Sequence, residues 1–162
     1  LRSEWIMGGS DISVPLALRR RVFVEEQGFP AAIEQDAKDE YAMHVVMYDD
    51  GQDALPVATG RIYNAEDGFH LGRICVIPEY RGQHVADLMV RLMIWKAMQF
   101  TDRLTLSAQA AVSGYYERYG FVRQGEEYHE HGVPHVRMCV TKDSVRFPSA
   151  CGHDNAKTLF ED

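Results

Sequence analysis

The sequence predicts a mixed α+β fold organised around one sheet. Six short segments rich in β-branched and apolar residues are bounded by glycine, proline, asparagine or aspartate, as strands usually are. Helical segments precede the first of these strands and separate the later ones. A chain of 162 residues, 46% of them hydrophobic, is long enough for one domain with a substantial core.

The first half of the chain begins with a predicted helix. Ser13 is placed to cap this helix, Pro15 suits its first turn, and Gly28 is expected to end it. Residues 29–40 are rich in acidic side chains and predict a solvated loop or short turn. Three antiparallel strands should follow, and we expect them at 43–48, 57–63 and 69–77, the last ended by Pro78.

The second half begins with a long helix over residues 85–100. Its apolar residues follow the helical period at Val85, Leu88, Met89, Leu92 and Trp95. A strand from Leu104 and a shorter helix over 112–119 come next, and Gly120 is suited to a left-handed helix stop. Two last strands are expected at 121–128 and 135–141, joined through residues 132–134.

Composition excludes several classes of protein. A net charge of −7 argues against nucleic-acid binding, which normally requires a basic face. The three cysteines form no C-x-x-C pair, so we expect neither a disulfide framework nor a zinc ribbon. Cys75 and Cys139 lie in apolar runs and are expected in the core, and Cys151 lies in a polar tail over 143–162.

The sequence shows neither a secretory signal nor a membrane-spanning segment. The first nine residues lack the basic and apolar regions of a secretory signal. No apolar stretch reaches the roughly 20 residues that a membrane span needs. We therefore expect a soluble cytoplasmic protein that binds no membrane.

The segment from Cys75 to Ala86 is the most informative in the chain. An apolar strand is followed by Pro78, an Arg81-Gly82 loop and the start of the long helix. The first N–H groups of a helix lack partners and lie at the positive end of its dipole, so this arrangement can bind an anion such as phosphate. The loop is neither a P-loop nor a G-x-G-x-x-G motif, and an ordinary strand-to-helix turn is the alternative.

Two motifs resemble those of the GNAT superfamily of N-acetyltransferases. The family's acetyl-CoA-binding motif, Gln/Arg-x-x-Gly-x-Gly/Ala, aligns with residues 81–86, and its second signature aligns with residues 109–121. Further segments, at 21–27, 39–44, 106–109 and 128–135, resemble the ElaA-like (YjcF-like) branch. The resemblance covers residues 14–141 in the family's order, so 1–142 is expected to form a single acetyltransferase domain.

The resemblance implies a fold and a co-substrate. The fold would be a mixed, mainly antiparallel sheet of six or seven strands flanked by about four helices, and the co-substrate would be acetyl-CoA. In the family the pyrophosphate lies on the loop that here comprises Arg81, Gly82, Gln83, His84, Val85 and Ala86. The pantetheine arm would pair with Ile74, Cys75 and Val76, where this strand splays from the next one. Gln109 replaces the usual asparagine of the second signature, and His84 replaces the first glycine of the loop.

The resemblance also implies candidate catalytic residues. Tyr116 occupies the position that often protonates the coenzyme A thiolate, and a phenol with a pKa near 10 suits that role. Tyr115 and Tyr119, four residues apart, are expected to pack on one helix face. Candidates for the general base are His135, Glu26, Glu127 and Glu130; a water chain could replace a direct base, and His135 could instead tie down a hairpin.

The predicted function is acetyl-CoA-dependent acetylation of a primary amine on a small molecule or peptide, by direct attack in a ternary complex. The alternatives are a non-catalytic acyl-CoA-binding or regulatory module, and a metal-binding protein built on His129, His131 and His135. The acidic residues of 34–40 could attract a cationic acceptor. A homodimer is left open.

Overall fold

A computed structural model describes residues 1–148, apart from the side chain of Ile33. The chain divides into two compact units between Ala97 and Met98.

The first unit contains four antiparallel strands in the order β1-β2-β3-β4. They are β1 (Arg2–Met7), β2 (Met43–Asp49), β3 (Leu55–Ala65) and β4 (Gly68–Val76). The three expected strands are confirmed to within a few residues. β1 was not predicted, because none of its side chains is fully buried and its sequence therefore lacks the pattern of a core strand. It forms a strand by pairing with β2, as in Glu4 opposite Val46.

The first helix, α1 (Ser13–Arg19), continues as a π-helical stretch over Arg20–Glu26, and Gly28 follows with a left-handed φ of +78°. Ser13 does not cap this helix, contrary to prediction. The N-cap residue is Ile12, and the Asp11 carboxylate accepts a hydrogen bond from Ser13 N at 2.9 Å. An acidic side chain two residues earlier therefore takes the capping role.

The acidic segment, Ala31–Glu40, comprises α2 (Ala31–Glu34) and a 3₁₀ turn (Ala37–Glu40). The predicted short turns are present, but the prediction that the acidic side chains are solvated was wrong for two of them. Glu34 is 7% exposed and Asp39 only 1% exposed. Both carboxylates are buried because arginines from other elements neutralise them.

The long helix, α3 (Val85–Ala97), packs on β3. The contact is close: a Cβ atom at Gly60 would lie 2.6 Å from Met93 Sδ. Leu88 and Trp95, which the helical period placed on the same apolar face as Val85, are 39% and 45% exposed. The helix buries a face rotated from the predicted one, made of Val85, Met89, Val90, Met93, Ile94 and Ala97.

The second unit contains β5 (Arg103–Gln109), β6 (Val122–Glu130) and β7 (Val133–Thr141), with β7 antiparallel to both others. A 3₁₀ turn (Ala110–Val112) and the short helix α4 (Ser113–Glu117) follow β5. The β6–β7 turn is made by His131 and Gly132, with φ of +49° and +78°, so Val133 and Pro134 belong to the strand rather than to the connection.

Gly120 ends the α4 region with φ +94°, as predicted. A Cβ atom there would overlap the backbone oxygen of Ser144. The following residues also pack on this unit, because Arg146 N donates to Tyr119 O at 2.8 Å and Val145 and Phe147 are buried. The rest of the expected tail, residues 149–162 with Cys151, lies outside the described residues.

Candidate active site

The loop between β4 and α3 has the backbone of an anion site. A 3₁₀ turn (Pro78–Tyr80) leads into residues 81–84, and α3 begins at Val85. Gly82 and His84 both adopt left-handed backbones, with φ of +74° and +62°. This path delivers the chain to a 13-residue helix whose first-turn N–H groups lack intrahelical acceptors.

The Arg81 guanidinium binds Glu26. The two terminal nitrogens lie 2.5 and 2.6 Å from the two carboxylate oxygens, and Nε donates to Val76 O at 3.0 Å. The hydrogen bonds from Arg81 lower the pKa of Glu26. A carboxylate with a lowered pKa is a weaker base, so this geometry favours a role for Glu26 in holding the loop rather than in accepting a proton.

The other loop side chains lie at the surface. Gln83 Nε2 donates to Glu79 O at 3.0 Å, and Glu79 pairs with Arg21 at 2.6 Å. His84 is exposed and occupies the left-handed conformation that glycine adopts most easily.

A β-bulge interrupts β4 at Arg73 and Ile74, and Ile74 is the first of the predicted pantetheine-binding residues. Thr59 pairs with Cys75 and Arg61 pairs with Gly72, so the single residue Gly60 lies opposite both Arg73 and Ile74. Arg73 has a left-handed φ of +50°. Bulges increase the local twist of a strand and occur often beside active sites. The signal available in the sequence was Gly60 and Gly72, because an isolated glycine inside a strand often marks a bulge.

Cys75 and Val76 continue β4 beyond the bulge and are 6% and 8% exposed. Burial raises the pKa of the Cys75 thiol to about 12, which keeps it protonated and unreactive. Both Cys75 and Cys139 are free and buried, as predicted.

A buried network of arginines and carboxylates lies beside β3 in the first unit. Arg19 donates to Glu34 at 2.6 Å and to Asp39 at 2.6 Å, and Arg61 donates to Asp36 at 2.6 Å and to Asp39 at 2.7 Å. Burial alone would raise the pKa of Asp39. The hydrogen bonds from Arg19, from Asp36 N and from Arg61 outweigh it and hold the pKa well below its usual range.

Two more residues complete this network. Arg73 lies 3.4 Å from Glu34 and 3.6 Å from Asp36, so three arginines balance three carboxylates. His44 is fully buried, its Nε2 lies 3.1 Å from Asp39 O, and burial lowers its pKa, which favours the neutral ring. Sequence reasoning missed the network. The available signal was Arg61, a charge in an otherwise apolar strand.

The tyrosines of α4 differ in their contacts. The Tyr115 and Tyr119 hydroxyls lie 3.2 Å apart and their rings are in contact, as predicted. The Tyr116 ring is half-buried against Tyr115 and Phe121. Burial raises the pKa of Tyr116, and its hydroxyl forms no hydrogen bond with any residue of the described range 1–148.

His135 lies on β7 opposite Gln109 of β5 and opposite Tyr128 of β6. Its Nδ1 is 2.8 Å from Val133 O, so Nδ1 carries the proton and donates. The neutral ring therefore has its lone pair on Nε2, which lies 3.6 Å from a Glu130 carboxylate oxygen. The predicted hairpin contact exists, and it also fixes the tautomer that a general base would need.

The histidines of the β6–β7 hairpin do not form a metal site. Within residues 1–148, apart from the Ile33 side chain, no group of three His, Cys, Asp or Glu side chains is arranged to hold an ion. His129 and His131 are exposed near the turn. The metal-binding alternative has no support from this geometry.

Comparison with known proteins identifies the family. Residues 10–142 match the model described as the acetyltransferase (GNAT) domain. The chain belongs to the GNAT acetyltransferase family. The resemblance and the acyl-CoA N-acyltransferase fold are thereby confirmed, and the chain is an acetyltransferase of a family that takes acyl groups from acyl-CoA.

Relatives and solved structures agree with this assignment. The Bacillus subtilis protein named uncharacterized N-acetyltransferase YjcF is 32% identical over 75% of this chain and 86% of its own. An acyl-CoA N-acyltransferase from Pseudomonas aeruginosa is 31% identical, with a TM-score of 0.75 and coverage of 86% of this chain and 98% of its own. Escherichia coli ElaA is 26% identical, with a TM-score of 0.75 and coverage of 85% and 97%.

None of the helices within residues 1–148 has the length and apolar character that crossing a membrane requires.

Proposed function

We propose that this protein transfers the acetyl group of acetyl-CoA to a primary amine of a small molecule or peptide, by direct attack in a ternary complex. The observation that carries the proposal is the loop before α3. Its left-handed Gly82 and His84 lead into a helix N-terminus, and the family motif occupies the same residues. This backbone suits a pyrophosphate, which every coenzyme A thioester carries.

The co-substrate would bind through backbone groups of the first unit. The N–H groups of Gly82 to Ala86 would receive the pyrophosphate, with Arg81 holding the loop through Glu26 and Val76. The amides of the pantetheine arm would pair with Ile74, Cys75 and Val76, the residues with which β4 ends beside this loop. The exposed His84 side chain is free to approach a phosphate.

Tyr116 would act as the general acid. The amine nitrogen attacks the thioester carbon, the carbon–sulfur bond breaks, and the departing thiolate takes the phenol proton. Burial raises the pKa of Tyr116, so the hydroxyl is protonated at physiological pH, and the same shift makes it a weaker proton donor than an unperturbed phenol. Its lack of a hydrogen-bond partner within residues 1–148 leaves that proton available to the leaving group.

His135 would act as the general base in preference to Glu26. The hydrogen bond from Nδ1 to Val133 O leaves the lone pair of the neutral ring on Nε2, where it can accept a proton from the attacking amine. The carboxylate of Glu130, 3.6 Å away, can stabilise the imidazolium that results. Glu26 is paired with Arg81 and is less basic.

Two measurements on the wild-type protein test the proposal. Acetyl-CoA should raise the melting temperature, and free thiol should appear when acetyl-CoA is mixed with one member of an amine panel containing lysine, spermidine and a tripeptide with a free N-terminus. The same reaction without added amine controls for hydrolysis of acetyl-CoA. Absence of any thermal shift with acetyl-CoA would overturn the assignment of the loop. A shift without thiol release from any amine would favour a binding module.

A further inference from the structure

Arg73 combines an unusual backbone with an unusual set of side-chain partners. Among the described non-glycine residues with left-handed φ, it is the one that lies inside a strand. Its conformation makes the β4 bulge, because it is one of the two residues opposite Gly60. A left-handed backbone is costly for a side-chain-bearing residue, and such strain is kept where the surroundings enforce it.

The Arg73 side chain holds the acidic segment. Its Nε donates to Glu34 O at 3.1 Å and lies 3.4 Å from the Glu34 carboxylate, and Nη2 lies 3.6 Å from Asp36. The segment has only one α-helical turn and one 3₁₀ turn of its own. Its position therefore depends on arginines from three elements: Arg19 of α1, Arg61 of β3 and Arg73 of β4.

The three arginines are not equivalent. The side chains of Arg19 and Arg61 are 1% and 3% exposed and make contacts of 2.6 Å. The Arg73 side chain is 31% exposed and its ionic contacts are longer. Loss of Arg19 or Arg61 should therefore destabilise the unit, whereas loss of the Arg73 guanidinium should mainly loosen the acidic segment.

We propose that Arg73 is a positioning residue for acetyl transfer, which fixes the acidic segment against the β4 bulge and so shapes the approach of the amine acceptor to the thioester. The inference rests on the proposed function, in which the arm of acetyl-CoA pairs with Ile74, the bulge residue next to Arg73, and with the two residues after it. The backbone of Arg73 shapes the part of β4 that would pair with the arm of acetyl-CoA, and its guanidinium holds the acidic segment beside that part of β4.

The test uses Arg73→Asn, because asparagine tolerates the left-handed backbone but lacks the guanidinium. Amide hydrogen exchange over residues 31–40 should accelerate by about tenfold or more, as expected for a weakened local structure. The dissociation constant for acetyl-CoA should stay within about twofold of wild type, and the KM for the best amine of the panel should rise about tenfold. Arg73→Lys should restore part of the protection because it retains the charge.

Arg2→Asn is the matched control. Arg2 also pairs with two carboxylates, Asp50 and Glu4, but these contacts are exposed and lie on β1 and at the end of β2. The Arg2→Asn variant should change neither the amide exchange of residues 31–40 nor the KM for the amine acceptor. Unchanged exchange in Arg73→Asn would overturn the proposal, and so would faster exchange with an unchanged acceptor KM. Failure of the proposed function would be visible separately, in a wild-type protein that does not bind acetyl-CoA.

Discussion

Replacing Asp39 by asparagine should strongly destabilise the first unit. The side chain is 1% exposed and accepts from Arg19 at 2.6 and 3.1 Å, from Arg61 at 2.7 Å and from Asp36 N at 3.0 Å. Asparagine removes the negative charge and places an NH₂ group among donors. The network then has three arginines and two carboxylates, so one buried positive charge is uncompensated.

Removing one partner of a buried ion pair costs about 3–5 kcal/mol. For a chain of 162 residues, each kcal/mol lowers the melting temperature by about 2–4 °C, so the expected fall is about 6–20 °C. Urea unfolding monitored by circular dichroism measures the free energy of unfolding. The control is Asp50→Asn, which removes an exposed partner of Arg2 and should cost less than about 1 kcal/mol. A loss below about 1 kcal/mol for Asp39→Asn would refute the reasoning.

Three further predictions concern acid stability, catalysis and the loop. The pKa of Asp39 in the folded protein lies below its ordinary 3.8, so its contribution to stability is complete above that pH and is lost as the pH falls further. Between pH 5 and 3, the free energy of unfolding of the wild type should therefore fall by about 1 kcal/mol more than that of Asp39→Asn, as measured by urea titration. Equal falls for the two proteins would contradict this. Tyr116→Phe should lower kcat about a hundredfold with an unchanged melting temperature, because it removes the proposed proton donor. The control Tyr115→Phe, which loses the contact with the Tyr119 hydroxyl, should retain kcat. Equal thiol-release rates for Tyr116→Phe and wild type would exclude Tyr116 as the acid. His84→Gly should raise the free energy of unfolding by about 0.5–1 kcal/mol, because glycine adopts the left-handed backbone of this position with less strain than histidine. The dissociation constant for acetyl-CoA should stay within a few-fold of the wild-type value. A lower free energy of unfolding would show that the left-handed backbone of His84 is not strained.

Local patterns predicted the regular elements well. Alternating apolar residues and turn residues located β2, β3 and β4, and Gly120 was correctly assigned a left-handed stop. These signals act over a few neighbouring residues, which is why a sequence alone reveals them. The two family motifs, at 81–86 and 109–121, also depend only on local spacing, and they led to the family that the comparisons confirm.

The roles of individual charges could not be predicted in this way. The acidic residues of 34–40 looked solvated because their partners, Arg19 and Arg61, lie between 15 and 25 positions away in the chain. Arg81 was predicted as part of the phosphate-binding loop, and nothing near it in the chain indicated that its guanidinium binds Glu26, 55 positions away. A sequence shows that such charges exist, and only the folded chain shows which of them meet.

The sequence by itself determined the class of fold, the order of most elements, and the motif that identifies an acetyltransferase. Only the tertiary structure decided that β1 precedes α1, which face of α3 is buried, and that Arg73 makes a bulge while holding the acidic segment through Glu34 and Asp36. The physical reason is the range of the interactions. Turn chemistry and periodicity are local, whereas strand pairing, burial and ion pairing depend on residues that the fold brings together from distant parts of the chain.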